Sequence, residues 1–565
     1  MPQIAPDAYT SYDRASTNVV SQFVKDLKGA VLAPPQNSLR AVFDSAAASE
    51  FVYSVEKTRP TAIPATLKAI YDELGSDAER DSINTAILDG IVSYERLHGV
   101  EVPADVIENA LHQGYATTDH ARRKYQLDSA TSTSSDPLSL QPNRAVVAIL
   151  SAIGEAFPVA HYLPTDIGSN EAVLAILTHN AGSAHGSYAQ NDQMDAHLSG
   201  KSYMSASRVH TSNPAVTTGN VTGKITAVQA TADTCNSGAG DLELIRGRSL
   251  IYVQGLLAGR EVDETGSGNS TVSGTVTLAG TDYVIAGVIN TDTGAYALTT
   301  TPAMPTSINV TVEGFIDFER AKDLIPKIVT SVKTYKLHAA PWHVFTESGV
   351  GSRTQMANEL GLDPASESMY AIQAQYANER HREILNKARR LSANNQSTYD
   401  FAWPTRSAQM NRAQCWRDFL SKLAEVSQKM ILDTMDHGIT HLYVSNQLMA
   451  DFASLPADMF VPSGVSPRAG IYRLGRLGGL YDVYYTPYGI TETSTASQVL
   501  CLGRGTSVAR NPFVLGDAVP PMIEPIMGDK SMTKGAAFYA RGFTAINPHP
   551  QSQLGCALID VTNLT

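Results

Sequence analysis

Asp433, Asp436, His437 and His441 are the best ligand-like cluster in the chain. Carboxylates and imidazoles can hold a metal for hydrolytic chemistry, provided that they converge and that further hydrogen bonds orient them. The first three, however, close a helical pattern that starts at "RAQCWRDFL" and ends at Gly438, and His441 opens the strand-like "THLYVSNQ". Asp and His at a helix end serve as capping and dipole groups, and that is the role expected here. His381 lies between Glu379 and Glu383 on another helical pattern, where the three fan around the axis and converge poorly on one ion. His179, His185, His197 and His210 are spread through a polar stretch and read as solvated loop histidines. The Gly-rich "ETGSGNSTVSG" lacks the following helix of a phosphate cradle and reads as a loop. No GxxxxGK[ST], HExxH or GxSxG pattern occurs. The side chains offer binding surface and no catalytic constellation, so the expectation is a protein that is not an enzyme and holds no cofactor and no metal.

At 565 residues, 43% of them hydrophobic and 17% charged, the chain can build several cores. A net charge of −12 argues against gripping nucleic acid through its phosphates as the main task. The start, "MPQIAPDAYTSYDRAS", has neither the basic nor the apolar region of a signal peptide. The apolar window "RAVVAILSAIGEAFPVAHYL" is interrupted by Glu155 and Pro158, and reads as a buried helix and strand, not a membrane span. Cys235, Cys415, Cys501 and Cys556 are scattered, which fits a reducing compartment and argues against a zinc cluster or disulfide framework.

Positioning elements follow from periodicity. Residues 1–126 read as mostly helical, with apolar residues three and four apart in "NSLRAVFDSAAASEFVYSVEK" and "IPATLKAIYDEL". "DSATSTSSDPLSLQPN", 128–143, reads as a linker. From about Asn213 to Gly314 the texture turns to Thr, Val, Gly and Ser. "STVSGTVTLAG", "DYVIAGVIN" and "INVTVEGFI" alternate with period two, and "TDTG" at 291–294 reads as a hairpin turn with Gly294 at positive φ. This is a small β-domain inserted into something else. Helix is expected again in "DFERAKDLIPKIV", then an extended "TSVKTYKLHAAPW". A long helix is expected to start at Asp363 and Pro364, N-cap and first turn, and to run through "QYANERHREILNKARR". Met369, Ile372, Tyr376, Ile384 and Ala388 trace one narrow stripe, while Glu379–Arg382 and Glu383–Lys387 are spaced to pair. A thin seam with charged flanks suits a helix that faces solvent or a neighbouring subunit.

Several segments, in their order from about 144 to 550, carry a likeness. They are "AFPVAHYLPTDIGSNEAVLAIL"; a returning strand with Lys336, Leu337 and Ala339; a Gly361–Leu362–Asp363 hinge; the long helix with Asn378, Glu379, Arg382 and Glu383; "HLYVSNQLMADFASL"; "LGRLGGLYDVYYTPYG" with Gly478, Gly479, Tyr484, Pro487 and Tyr488; and "PPMIEPIMGDKSMTKGAAFYARGF". Together they resemble the major capsid proteins of tailed phages, in particular the T-even-type myovirus family with the HK97-like fold. Ile167, Gly168 and Ser169 stand where that family has Ser-Pro-Thr-Gly, and residues 1–135 match no part of it.

The resemblance implies an α+β fold. Residues 1–135 would be a helical N-terminal extension or arm, and 144–213 the start of a peripheral domain with its extended loop. An all-β insert would occupy 214–314, the loop return and spine helix 315–411, an axial domain 412–505, and closing peripheral strands 506–565. It implies self-assembly into hexamers and pentamers of an icosahedral shell, assembled in the host cytoplasm and found in the virion, around double-stranded DNA held without sequence-specific binding. Partners would be further copies of the chain and scaffolding, portal and decoration proteins, with no membrane. Tyr335 and Trp342 on the extended loop are expected as apolar anchors on a neighbour, or else in their own subunit's core. Glu379, Arg382, Glu383 and Lys387 are expected as further inter-subunit contacts. Relatives are often trimmed after Leu/Ile-x-Glu; Ile153-Gly154-Glu155 fits that pattern but falls in a core-like segment and reads as structural. The alternatives are another virion protein such as a tail sheath subunit, or a metal-dependent enzyme at Asp433, Asp436, His437 and His441.

Overall fold

The computed structural model describes residues 19–27, 51–55, 57, 60–74, 77–117, 141–154, 156–165, 171–215, 218–236, 238–264, 268–360, 364–527 and 534–565. The chain forms two compact units, one of residues 1–176 with 334–565 and one of 177–333. Most of the linker, the Ile167–Gly168–Ser169 stretch, Glu155 and the Gly361–Leu362–Asp363 hinge with its cap lie outside the described residues. Among the described residues no helix is long and apolar enough to cross a membrane.

After helical residues at 19–27 and 51–55, the first unit continues with helices α1 (Ala65–Glu73), α2 (Asp77–His98), α3 (Ala104–Ala116) and α4 (Gln141–Gly154). In α2, Ile83, Ile87 and Ile91 recur four apart and are 0–1% exposed, the spacing that aligns one helix face. Glycines bring the helices close. A Cβ on Gly90 would stand 3.0 Å from Ile153, and one on Gly114 2.9 Å from Ile149. Ile153, in the Ile-x-Glu pattern, is thus a core residue. The described part of the N-terminal region is no free arm. It shares one apolar core with Ile384, Leu385, Tyr443, Tyr484, Leu502 and Phe513 of the same unit.

Helix α5 (Pro364–Leu391) is the spine. Ile372, Tyr376, Ile384 and Ala388 are its buried stripe. It packs on a four-stranded sheet ordered His161–Tyr162, Phe513–Met527, Lys534–Ile546, Ala340–Ser348. Beyond it, α6 (Arg412–Thr434) covers a seven-stranded sheet ordered 396–400, 556–562, 497–502, 441–444, 481–485, 472–477, 460–462. Asn411 and Gln414 form a capping box at its start. Its own Trp416, Phe419, Leu423 and Met430 are 0–1% exposed and form its covered face. The helix ends at Thr434 with Met435 left-handed, φ 61, so Gly438 is not its cap. Gly438 is needed for close approach, since a Cβ there would collide with Ser427 and Ile431.

The second unit is built on an eight-stranded antiparallel sheet ordered 207–212, 310–315, 250–253, 256–264, 269–278, 281–290, 295–301, 221–224. Its strands alternate as the period-two texture requires. Ala295–Thr301 reads exposed–buried throughout, and the inward Val272, Ile285, Ile289, Leu298 and Val312 form one core. The 291–294 turn joins two paired strands, with Gly294 at φ 75. This sheet already begins at Ser207–Ser212 and its unit runs 177–333, wider than 214–314. The texture misses these flanks because they are polar. "DFERAKDLIPKIV" is not the expected helix. It holds one 3₁₀ turn, Lys322–Leu324, and a strand from Ile328. Pro326 removes a donor and clashes with a preceding turn, and Ile328–Val329 favour extended backbone.

Candidate assembly surface

Ala340–Ser348 is the last strand of the four-stranded sheet, paired on one side with Lys534–Ile546. Trp342 and Val344 sit opposite Ala540 and Phe538. With Ala371, Ile372, Tyr376 and Glu379 of the spine they line a groove of about 340 Å³. The Trp342 ring meets Tyr376 edge-on at 5.4 Å, and Tyr376 lies 5.2 Å from Phe538. Both are arrangements aromatic quadrupoles favour. Along the same strand Val344 is 47% and Phe345 66% exposed. Apolar side chains on both faces of one edge strand are an unusual surface, and such patches mark contact sites.

Largely buried ion pairs tie together the elements of the same unit. Arg380 Nη1 meets Asp517 at 3.1 Å, and Gln113 donates to the other carboxylate oxygen at 2.7 Å. This joins spine, sheet and α3. Arg504 Nη2 meets Asp105 at 2.8 Å, with His161 3.4 Å from the same carboxylate. Burial pushes Asp105 up, but Arg504 and then His161 outweigh it and hold the carboxyl well below its usual range. Arg473 and Arg476 flank Asp482 at 2.5 and 3.2 Å. Against the effect of burial, these arginines keep Asp482 low. Gln113 and Asp517, and Arg504 and Asp105, stand about 400 positions apart and give no linear signal, so the sequence could not disclose those ties.

The sequence-predicted residues disperse. Trp342 packs on its own chain's Tyr376, and Tyr335 is partly buried on the strand Ile328–His338. Glu383 and Lys387 pair at 2.5 Å, and Lys387 also donates to the Thr544 carbonyl. The expected Glu379–Arg382 pair gives way to other partners. Arg382 lies 4.9 Å over the Tyr488 ring, a broad face that suits a guanidinium. Glu379 accepts from Gln375 at 3.4 Å. Both Glu379 and Arg382 are exposed.

The Asp/His group does not converge. The Asp436 carboxylate accepts from Thr506 N and Oγ1 at 2.8 and 2.7 Å. Burial raises Asp436, yet His437 and Thr506 bring it to about 2. His441 Nδ1 meets Thr440 Oγ1 at 2.7 Å. Among the described residues no three His, Cys, Asp or Glu are placed to hold one metal. The histidine run in the second unit also differs from expectation. His197 is exposed, but His185 is 1% exposed, its Nδ1 2.6 Å from the fully buried Arg208. Burial first, and Arg208 second, hold His185 at about 4.

No known family description and no curated protein matches this chain. Among solved structures it is similar to the capsid of the jumbo bacteriophage PhiKZ, at 9% identity and a TM-score of 0.35, over 72% of this chain and 91% of that one. It is also similar to a chain of Microbacterium phage Oxtober96, at 10% and 0.29 over 57% and 88%. A third is the SrpI encapsulin of Synechococcus elongatus PCC 7942, at 12% and 0.27 over 43% and 81%. At such identities and TM-scores these likenesses assign no activity.

Proposed function

We propose that this chain is a major capsid protein of a tailed phage, whose copies close into hexamers and pentamers of an icosahedral shell around packaged double-stranded DNA. The observation that carries the reading is the edge strand Ala340–Ser348, apolar on both faces beside an open apolar groove. Head-to-tail contact through such a surface gives rings when the rotation closes. The charged spine helix supports the reading, since Glu379 and Arg382 stay exposed on it while its stripe is covered. So does the segment order that resembles tailed-phage capsid subunits. The extended segment around 330–345 would lie on a neighbouring copy, with Tyr335 and Phe345 as apolar contacts. Scaffolding, portal and decoration proteins would be further partners, and the assembled product would reside in the virion. The test is electron microscopy and sedimentation of the full-length chain expressed alone. Rings, shells or polyheads are expected. Contractile-sheath tubes would assign another virion role, and a monomer at high concentration would end the proposal.

A further inference from the structure

Tyr443 and Tyr484 stand opposite each other on the parallel strands His441–Val444 and Tyr481–Tyr485, their rings stacked at 5.4 Å. Imidazoles from three different elements surround this pair. His98, the last residue of α2, lies 6.2 Å from Tyr484 and 4.4 Å from Tyr94. His381 of the spine meets Tyr443 edge-on at 6.1 Å and Phe157 edge-on at 4.2 Å. His441 lies 5.7 Å from Tyr484. His98 and His441 are each 8% exposed; His381 is partly exposed as a residue, with its ring enclosed by Phe157 and Tyr443.

Little in this layer welcomes a proton, although the Tyr443 hydroxyl lies 3.5 Å from His381 Nε2 and the Thr440 hydroxyl 2.7 Å from His441 Nδ1. His98 Nδ1 and the hydroxyls of Tyr94 and Tyr484 are buried without a hydrogen-bond partner. The charges acting on the rings are largely cationic: Arg468 and Arg473 on His98, Arg468 and His98 on His381, and Arg504, Arg473 and His98 on His441. Asp482 favours the charged form of His441, but it is already engaged by Arg473 and Arg476. Asp105 is likewise engaged by Arg504, with His161 beside it. Tyr94, Tyr162, Tyr443 and Tyr484 are all pushed up by burial and stay neutral. The layer is also a junction. Arg473 Nη1 donates to the Gly99 carbonyl at 3.3 Å, tying the end of α2 to the seven-stranded sheet.

We propose that His98, His381 and His441 form an acid-operated latch: neutral, they let the helical layer of α2 and α3 close on the spine and the seven-stranded sheet, and protonated, they place like charges in one apolar layer and release those helices. Burial holds His98 at about 4 and His441 at about 3, and holds His381 well below its ordinary value. The sign follows. Each ring binds its proton in the open state near 6.5 and in the closed state only at lower pH. The latch is therefore fully stabilising above the open-state value and is lost as pH falls from there, towards about 4 for His98 and about 3 for His441. Asp105, held well below its ordinary range by Arg504, keeps its charge through that window, and the arginines beside Asp482 hold it low as well. The device operates within one chain, so its test does not depend on assembly.

Hydrogen exchange of the full-length chain, read by mass spectrometry from pH 7.5 to 4.0, is the experiment. Peptides of 77–98 and 104–116 are expected to lose protection while 412–434 and 556–562 keep theirs, with a pH dependence reporting uptake of about three protons. His98→Phe and His381→Phe are each expected to move that opening to lower pH and to remove about one proton from its dependence. Simultaneous loss of protection across all four segments, or a midpoint unmoved by both variants, overturns the proposal. If the variants do not fold, exchange of the imidazole C2 hydrogens in the unsubstituted chain decides. Titration of His98, His381 and His441 below that of the exposed His197 supports the latch, and titration of all four together refutes it.

Discussion

The strands His441–Val444 and Ile328–His338 are both rich in β-branched and aromatic residues, and they meet opposite fates. All four residues of the first are buried; of the eleven in the second, one is. The first has a strand on either side and lies in the sheet that α6 covers. The second has one partner strand, and its Ile328, Val329 and Val332 are 50%, 50% and 60% exposed. The same residue chemistry therefore serves two purposes, and neighbours decide which. Lys333 and Lys336 interrupt the exposed run, as edges that must avoid indiscriminate pairing require. Apolar burial in the first strand maintains the fold. Apolar exposure in the second, and in Val344 and Phe345, is the surface we propose for association.

This contrast can be broken at either side. The largest effect on stability belongs to Trp416→Ala in the covered core, expected to cost about 3–5 kcal/mol. A loss near zero in denaturant unfolding would mean that α6 does not seal that sheet. Next, Val344→Asp with Phe345→Asp is expected to leave stability within about 0.5 kcal/mol, as exposed sites do. Self-association should meanwhile weaken by about 100-fold or more, the equivalent of roughly 3 kcal/mol. Sedimentation showing unchanged association would reassign the edge strand. Asp436→Asn comes third, at about 1–2 kcal/mol at pH 7. Its folded value lies near 2 against an ordinary 3.8. Its contribution is thus present above 3.8 and lost as pH falls from there towards 2. Unfolding midpoints of variant and parent should converge at the acid end, and a pH-independent gap would contradict the sign. The smallest is Arg382→Ala, which removes a cation over Tyr488 at an exposed site and should cost about 0.5–1 kcal/mol in thermal unfolding.

What the sequence discloses is what repeats locally. Period two revealed the strands around Thr281–Asn290, and spacing by four revealed the spine's Ile372, Tyr376, Ile384 and Ala388. Long-range pairing stayed hidden. Arg380 finds Asp517, and Arg504 finds Asp105, only through the folded chain. Local pattern also misleads where one residue overrides it, as Pro326 does in "DFERAKDLIPKIV" and as Arg208 does by drawing His185 into the interior. Of the candidate surface, the helix could be read from the sequence, and of the strand only its start, within the extended "TSVKTYKLHAAPW". The groove between them could not, because Phe538 completes it from a strand that comes much later in the chain.

The two strands that leave and re-enter the 177–333 unit are partners in one ribbon, joined by Thr178 Oγ1 to Ser331 Oγ at 2.9 Å and by Lys336 to Glu171 at 3.0 Å. Its ends therefore stand side by side, as at the base of a hairpin. That unit is therefore expected to be removable as a cassette. Cutting it away and bridging the stub with a tight Asn-Gly turn should leave the remainder a continuous, foldable polypeptide, and an unrelated module could be spliced into the same gap.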